Sequence, residues 1–188
     1  MIRSSPVRAR QHGLVLVTTL LLLVVVTILA VGMFRSFGLD EKIAGNMREK
    51  QLALQAAESA EYYAEYWLAS GNGTSAVTCT SLVAASVGQV CSNILTTVVA
   101  NVAVVPWQSG GVNVGVYYVP PGMNVTTTET AGSYWSKPVF YISYLGASGG
   151  ANIYQIDAVG YGGSPNTTAV VESTYMVSTS TKDLGGGQ

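Results

Sequence analysis

A chain of 188 residues with a net charge of −1 has room for one domain and an anchor, and it presents no global basic field to attract nucleic acid. Charged residues are 10% of the total, well under the roughly 25% of ordinary soluble domains. Ser, Thr, Asn, Gly and Tyr take their place, the composition of an exported, β-rich surface. The charge is also unevenly placed. Residues 1–50 hold seven Lys or Arg against three acids, whereas beyond residue 50 only Lys137 and Lys182 face seven acids.

The first element is a basic stub, residues 1–13, with Arg3, Arg8, Arg10 and His12. It ends at Gly13. From Leu14 to Met33 follow twenty residues without a charge, broken only by Thr18, Thr19 and Thr27. As a helix this run is roughly 30 Å long, the thickness of a hydrocarbon core. The preceding arginines predict an N-terminus held in the cytoplasm and a C-terminal domain in the periplasm. Three readings compete. Ala30-Val31-Gly32 resembles a signal-peptidase site, but the apolar run is longer than the roughly 7–15 residues of a signal peptide. A permanent single-pass anchor is the second reading. In the third, the glycine at the border of basic stub and apolar run resembles the class III leader of type IV pilins. That resemblance implies cleavage after Gly13 by a prepilin peptidase and methylation of the new N-terminal Leu14, with the helix retained.

The helical pattern does not stop at Met33. Residues 34–70 contain no proline and are rich in Ala, Leu, Glu, Lys and Gln. Ala53, Ala57, Ala60, Ala64 and Leu68 recur at helical spacing, a small-residue stripe that lets a sheet approach the axis closely. Gly71-Asn72-Gly73 supplies the stop. The spacing therefore predicts one helix from Leu14 to Ala69, about 84 Å long. Gly32, Gly38 and Gly45 have two readings: glycines tolerated near a membrane, or a stretch that unwinds when the subunit packs in a fibre.

Within this helix, residues 39–68 resemble the N-terminal signature of the PilX family of minor pilins. That family shows E-[KR]-[MI]-A-[GA]-N, then R-[DE]-[KR], then A-[FL]-Q-A-A-E-x-A. Here the positions are Glu41-Lys42-Ile43-Ala44-Gly45-Asn46, Arg48-Glu49-Lys50 and Ala53-Leu54-Gln55-Ala56-Ala57-Glu58-Ser59-Ala60. Residues 154–175 look like the family's closing hairpin. The resemblance implies a low-copy pilus subunit that primes assembly at or near the filament tip. Its implied partners are other minor pilins and the major pilin through the N-terminal helix, an inner-membrane assembly platform and a large tip adhesin. Major pilins carry glutamate at the fifth mature position, where this chain has Thr18. A carboxylate at that depth costs about 2.5–3.5 kcal/mol unless paired. A threonine hydroxyl is satisfied on its own helix's backbone and needs no neighbour. Leu14 also departs from the usual phenylalanine.

The head, residues 71–188, reads as strands. Val112, Val114, Val116 and Tyr118 alternate so as to share one face; so do Phe140, Ile142 and Tyr144, then Tyr154, Ile156 and Ala158, while Ala169, Val171, Tyr175 and Val177 form a further run. The expected fold is α+β and pilin-like: one long helix, half transmembrane and half amphipathic, packed on an antiparallel sheet of four to five strands. Tyr62, Tyr63, Tyr66 and Trp67 are expected at the core and rim of that contact. Glu58, Glu61 and Glu65 share a face, either solvated or pairing with Arg48 or Lys50 of a neighbour. In an oxidising compartment Cys79 and Cys91 would form a disulfide contributing about 3 kcal/mol; free thiols are the other reading.

No catalytic constellation is visible. The sole histidine is His12, and the head's acids, Glu129, Asp157, Glu172 and Asp183, are scattered along the chain. Two cysteines without a downstream histidine do not complete a zinc site, so neither cofactor nor metal is expected. The rival functions are a K-type pseudopilin of a type II secretion system, which usually carries a large insertion and calcium-binding acids, and an uncleaved membrane-anchored binding protein with a tyrosine-rich receptor surface.

Overall fold

A computed structural model describes residues 12–73, 75–93, 95, 105–128 and 132–178. Arg3, Arg8 and Arg10 of the basic stub, with Glu129, Lys182 and Asp183, lie outside the described residues. The chain divides into two compact units, Met1–Asn46 and Met47–Gln188.

The described part of the first unit is the N-terminal portion of helix α1, which runs from His12 to Trp67. The helix passes through Gly32, Gly38 and Gly45 without a break. Its apolar window has a mean hydropathy of 3.1, and none of that window is buried among the described residues. The hydroxyls of Thr18, Thr19 and Thr27 donate to the carbonyls of Val15, Leu16 and Val24 at 2.9, 3.0 and 2.8 Å. Each threonine thus hides its polar group on its own helix, as expected for Thr18. Such a surface, uncharged and internally hydrogen-bonded, suits lipid or another apolar helix rather than water.

In the second unit the rest of α1 covers a sheet. Ala53, Ala57, Ala60, Ala64 and Leu68 are all at most 1% exposed, so the predicted stripe is the packing face. The helix ends in a π-type turn, Leu68–Asn72. Ser70 Oγ and Asn72 Nδ2 donate to the last carbonyls, those of Tyr66 and Trp67.

Among the described residues nine strands follow: β1 (Ala76–Val77), β2 (Leu82–Ala84), β3 (Val90–Cys91), β4 (Gln108–Ser109), β5 (Val112–Asn113), β6 (Gly115–Tyr117), β7 (Val139–Ser148), β8 (Ala151–Tyr161) and β9 (Thr168–Ser178). Strands β6 to β9 form an antiparallel succession that corresponds to the four alternating runs of the sequence. The sheet as a whole is mixed. Beyond β8, the other edge of β7 forks: β6 pairs with its start (Val116 opposite Phe140), and β3 pairs parallel further along (Cys91 opposite Ser143). β2 then adds to β6 and β1 to β3, both in parallel. Strands β4 and β5 make a separate small hairpin.

The sheet has a core on each face. Against the helix lie Val116, Phe140, Ile142, Tyr154, Ile156 and Ala158. The other face buries Trp107, Val114, Val139, Tyr141, Val159 and both cysteines. Cys79 and Cys91 form a disulfide. Asn93 continues this link by bonding both the N–H and the carbonyl of Cys79, at 2.8 and 3.1 Å.

This second core corrects one expectation. Val112, Val114, Val116 and Tyr118 do not share a face: Val112 is exposed, Val114 lies in the core away from the helix, and Val116 faces the helix. The cause is Gly115, whose φ of 122° reverses the alternation where β6 begins. A side chain there would also strike the Phe140 carbonyl, 2.8 Å from its Cβ position.

Helix and sheet approach each other closely at Gly160. A Cβ there would overlap the backbone of Ala53 and Ala57 and come within 2.8 Å of the Ala56 methyl. Gly160→Ala should therefore destabilise the second unit by about 3 kcal/mol, read as a lower urea midpoint for the full chain in detergent. An unchanged midpoint would show that the helix does not rest on β8 there.

Candidate functional site: the signature segment of the helix

The segment that carries the sequence signature splits by environment. Glu41, Lys42, Ala44, Gly45 and Asn46 belong to the first unit and are exposed, with open space around Gly45. Gly13 and Leu14 are also exposed helical residues, Leu14 at 68%. From Met47 onward the same helix turns its residues to three different tasks.

The first is packing. Ala53, Ala56 and Ala57 bring the helix backbone onto Gly160. A larger side chain at any of them would hold helix and strand apart.

The second is a polar lock. The Gly163 N–H donates to Glu49 Oε2, and Lys50 Nζ donates to the Thr168 carbonyl. Both partners flank the turn between β8 and β9. That turn is itself braced by Gly162 N–H to the Thr167 carbonyl (2.8 Å) and by Ser164 Oγ against Thr167 Oγ1 (3.0 Å). Gly162 and Gly163 leave no room for a Cβ beside the Glu49 carbonyl and carboxylate, 2.7 and 2.8 Å away. Charge-assisted bonds of this kind are worth about 1.5–3 kcal/mol each. Glu49 and Lys50 stand in the signature, but nothing local in the sequence announces a bond across more than a hundred residues. Lys50 is thereby engaged within its own chain. Arg48 is exposed and has its guanidinium near Gly132.

The third is display. Gln55 is exposed and Glu58 half-buried on the side of the helix away from the sheet. The aromatic cluster divides accordingly. Tyr63 and Trp67 pack on the core, while Tyr62 and Tyr66 are 67% and 69% exposed.

On the far face of the sheet the structure joins residues that sequence spacing left apart. Asp157 lies between Tyr141 and Glu172 in a row across β7, β8 and β9. It is fully enclosed, and the Gln155 amide donates to its carboxylate at 3.2 Å. Burial pushes its carboxyl up to about 6, Gln155 pulls it down and the Glu172 charge adds to the rise. The Tyr141 hydroxyl is pushed up to about 12, by burial first and then by Asp157. It donates to the Asn93 carbonyl, tying this row to the disulfide segment. Among the described residues no cluster of three His, Cys, Asp or Glu is placed to hold a metal.

Two family models match. One described as PilX N-terminal covers residues 12–60, and one described as Type IV pilus assembly protein PilX C-term covers residues 63–177. Comparison with curated proteins gave no match, and neither did comparison with solved structures.

Two outcomes follow from this geometry. Glu49→Ala should lower stability by about 2 kcal/mol and speed amide exchange at Gly163; unchanged exchange there would remove the lock. Asp157 binds its proton more tightly in the fold than in the unfolded chain, where its pKa is about 3.9. Stability should therefore fall as pH rises from about 4 through 6 and stay lowered above it. Asp157→Asn should flatten that profile and raise stability at pH 7 by on the order of 2 kcal/mol, measured by urea unfolding across the range.

Proposed function

We propose, from the premise that this chain belongs to the PilX family of type IV pilus minor pilins, that it works as a low-copy subunit priming pilus assembly at or near the filament tip. The observation that carries the reading is the division of labour along α1. The apolar side chains of residues 14–33 are largely exposed, whereas the stripe of Ala53, Ala57, Ala60, Ala64 and Leu68 is buried against the sheet. A helix so built can stand in a bilayer and later exchange lipid for the helices of other subunits, because both are apolar solvents for the same surface.

Thr18 supports the placement at the tip. An ordinary pilin carries a glutamate at this point, and in lipid its charge needs a partner supplied by a neighbour. The Thr18 hydroxyl is already bonded to the Val15 carbonyl. A subunit with this residue makes no demand on one above it, which suits the first position of a fibre. On this reading a prepilin peptidase cuts between Gly13 and Leu14 and Leu14 is methylated. The N-terminal stub then lies in the cytoplasm and the head in the periplasm before assembly. The other minor pilins, the major pilin, the inner-membrane platform and a tip adhesin are the partners of those steps. The family's role is structural, so the work is mechanical rather than catalytic.

Mass spectrometry of the protein isolated from cells tests this. A mature chain starting at methylated Leu14 is expected. A chain starting at Met33 would mean signal peptidase, and an intact Met1 a plain anchor; either would overturn the proposal.

A further inference from the structure

The face of α1 turned away from the sheet carries a surface that neither packing nor the lock accounts for. Tyr62 and Tyr66, one helical turn apart, leave about two thirds of their side chains in solvent. They form one wall of a shallow groove with Gln55, Glu58, Tyr63 and Tyr118. The floor is held firmly: Tyr63 stacks on Tyr118 with ring centroids 4.2 Å apart, and its hydroxyl donates to the Ala85 carbonyl at 3.2 Å. Two rigid rings below and two exposed rings beside them are a poor arrangement for water alone.

The row next to the tyrosines is acidic. Glu58, Glu61 and Glu65 follow at three- and four-residue spacing, so they lie along the same side of the helix. Burial first, and then the neighbouring charge of Glu61, hold the Glu65 carboxyl above its usual range. The basic residue nearest in sequence, Lys50, is already bound to the Thr168 carbonyl. Aromatic faces beside carboxylates suit one chemistry above others: a guanidinium can stack on a tyrosine while its N–H groups pair with a glutamate.

We propose that this face docks an arginine-bearing helix of another subunit, whose guanidinium groups stack on Tyr62 and Tyr66 and pair with Glu58, Glu61 and Glu65. Rows at i, i+4 and i+7 along a helix form a ridge and groove that a second helix fits along its length. The stretch from Gln55 to Tyr66 spans about three turns, roughly 16 Å, enough for two or three such contacts. The identity of the occupant as a pilus subunit rests on the function proposed above; the charge and ring chemistry of the surface does not.

The test uses the full chain in nanodiscs and two synthetic helical peptides of roughly 20 residues, one with arginine at every fourth position and its twin with glutamine there. The arginine peptide should bind about tenfold more tightly than its twin, and the difference should shrink with added salt. Tyr62→Ala with Tyr66→Ala, and separately Glu58→Gln with Glu61→Gln and Glu65→Gln, should each weaken binding about fivefold or more while leaving the urea midpoint close to that of the parent chain. In cells, a photo-crosslinker in place of Tyr62 should join an arginine-bearing helical peptide of another protein, identified by sequencing. Equal binding of both peptides, variants that bind like the parent, or crosslinks confined to a second copy of this chain or to lipid would each overturn the proposal. The N-terminal mass is read separately, so failure here is distinguishable from failure of the pilin reading.

Discussion

The second unit depends on how closely one helix can lie against one strand. At Gly160 the backbone of β8 meets the backbone of α1 at Ala53 and Ala57, with no side chain larger than a methyl between them. Such a contact gathers little apolar area per residue, but it places two polar backbones and their neighbours within mutual reach. The Glu49 carboxylate can then accept from Gly163, and Lys50 can reach the Thr168 carbonyl. Without the small residues these bonds would not span the gap. At the other end the same proximity lets the Tyr154 hydroxyl donate to the Gly73 carbonyl at 2.7 Å. The alanines and the polar residues of the signature are thus parts of one contact.

The sheet answers a different constraint. A ten-residue β7 has a full-length partner in β8, but its other edge is divided between two short strands. Short strands bring little hydrogen bonding of their own, so they are held from outside the ladder. The disulfide joins the segments that carry β1 and β3, Asn93 bonds back to Cys79, and Tyr141 holds the Asn93 carbonyl. The layer so tethered, with Trp107, covers the face that the helix does not reach. Enclosing that face also encloses Asp157, whose raised carboxyl pKa is the electrostatic consequence of covering a polar position.

The two units are adapted to different solvents. In the first, the apolar side chains of residues 14–33 are largely exposed, and the three threonine hydroxyls turn back on the helix. In the second, solubility rests on hydroxyls and amides rather than on charge, and the apolar side chains are drawn into the two cores.

Much of this was legible in the residues alone, because it is periodic. The helix, its alanine stripe, the four alternating runs and the family signature repeat at fixed spacing, and periodicity survives without knowledge of the fold. What sequence could not reveal is what has no local period. The strands β1, β2 and β3 are two or three residues long and exist because a neighbour pairs with them. The exchange of faces at Gly115 looks like simple alternation until the φ of that glycine is known. The Glu49 lock and the row of Tyr141, Asp157 and Glu172 join residues far apart in the chain, and the split of four aromatics into two packed on the core and two displayed depends on what the sheet covers. Sequence by itself determined the long helix, its packing stripe and the apolar side of the three long strands; tertiary structure decided the short strands and which segments meet, since pairing across long loops is chosen by the whole packed core rather than by any one stretch.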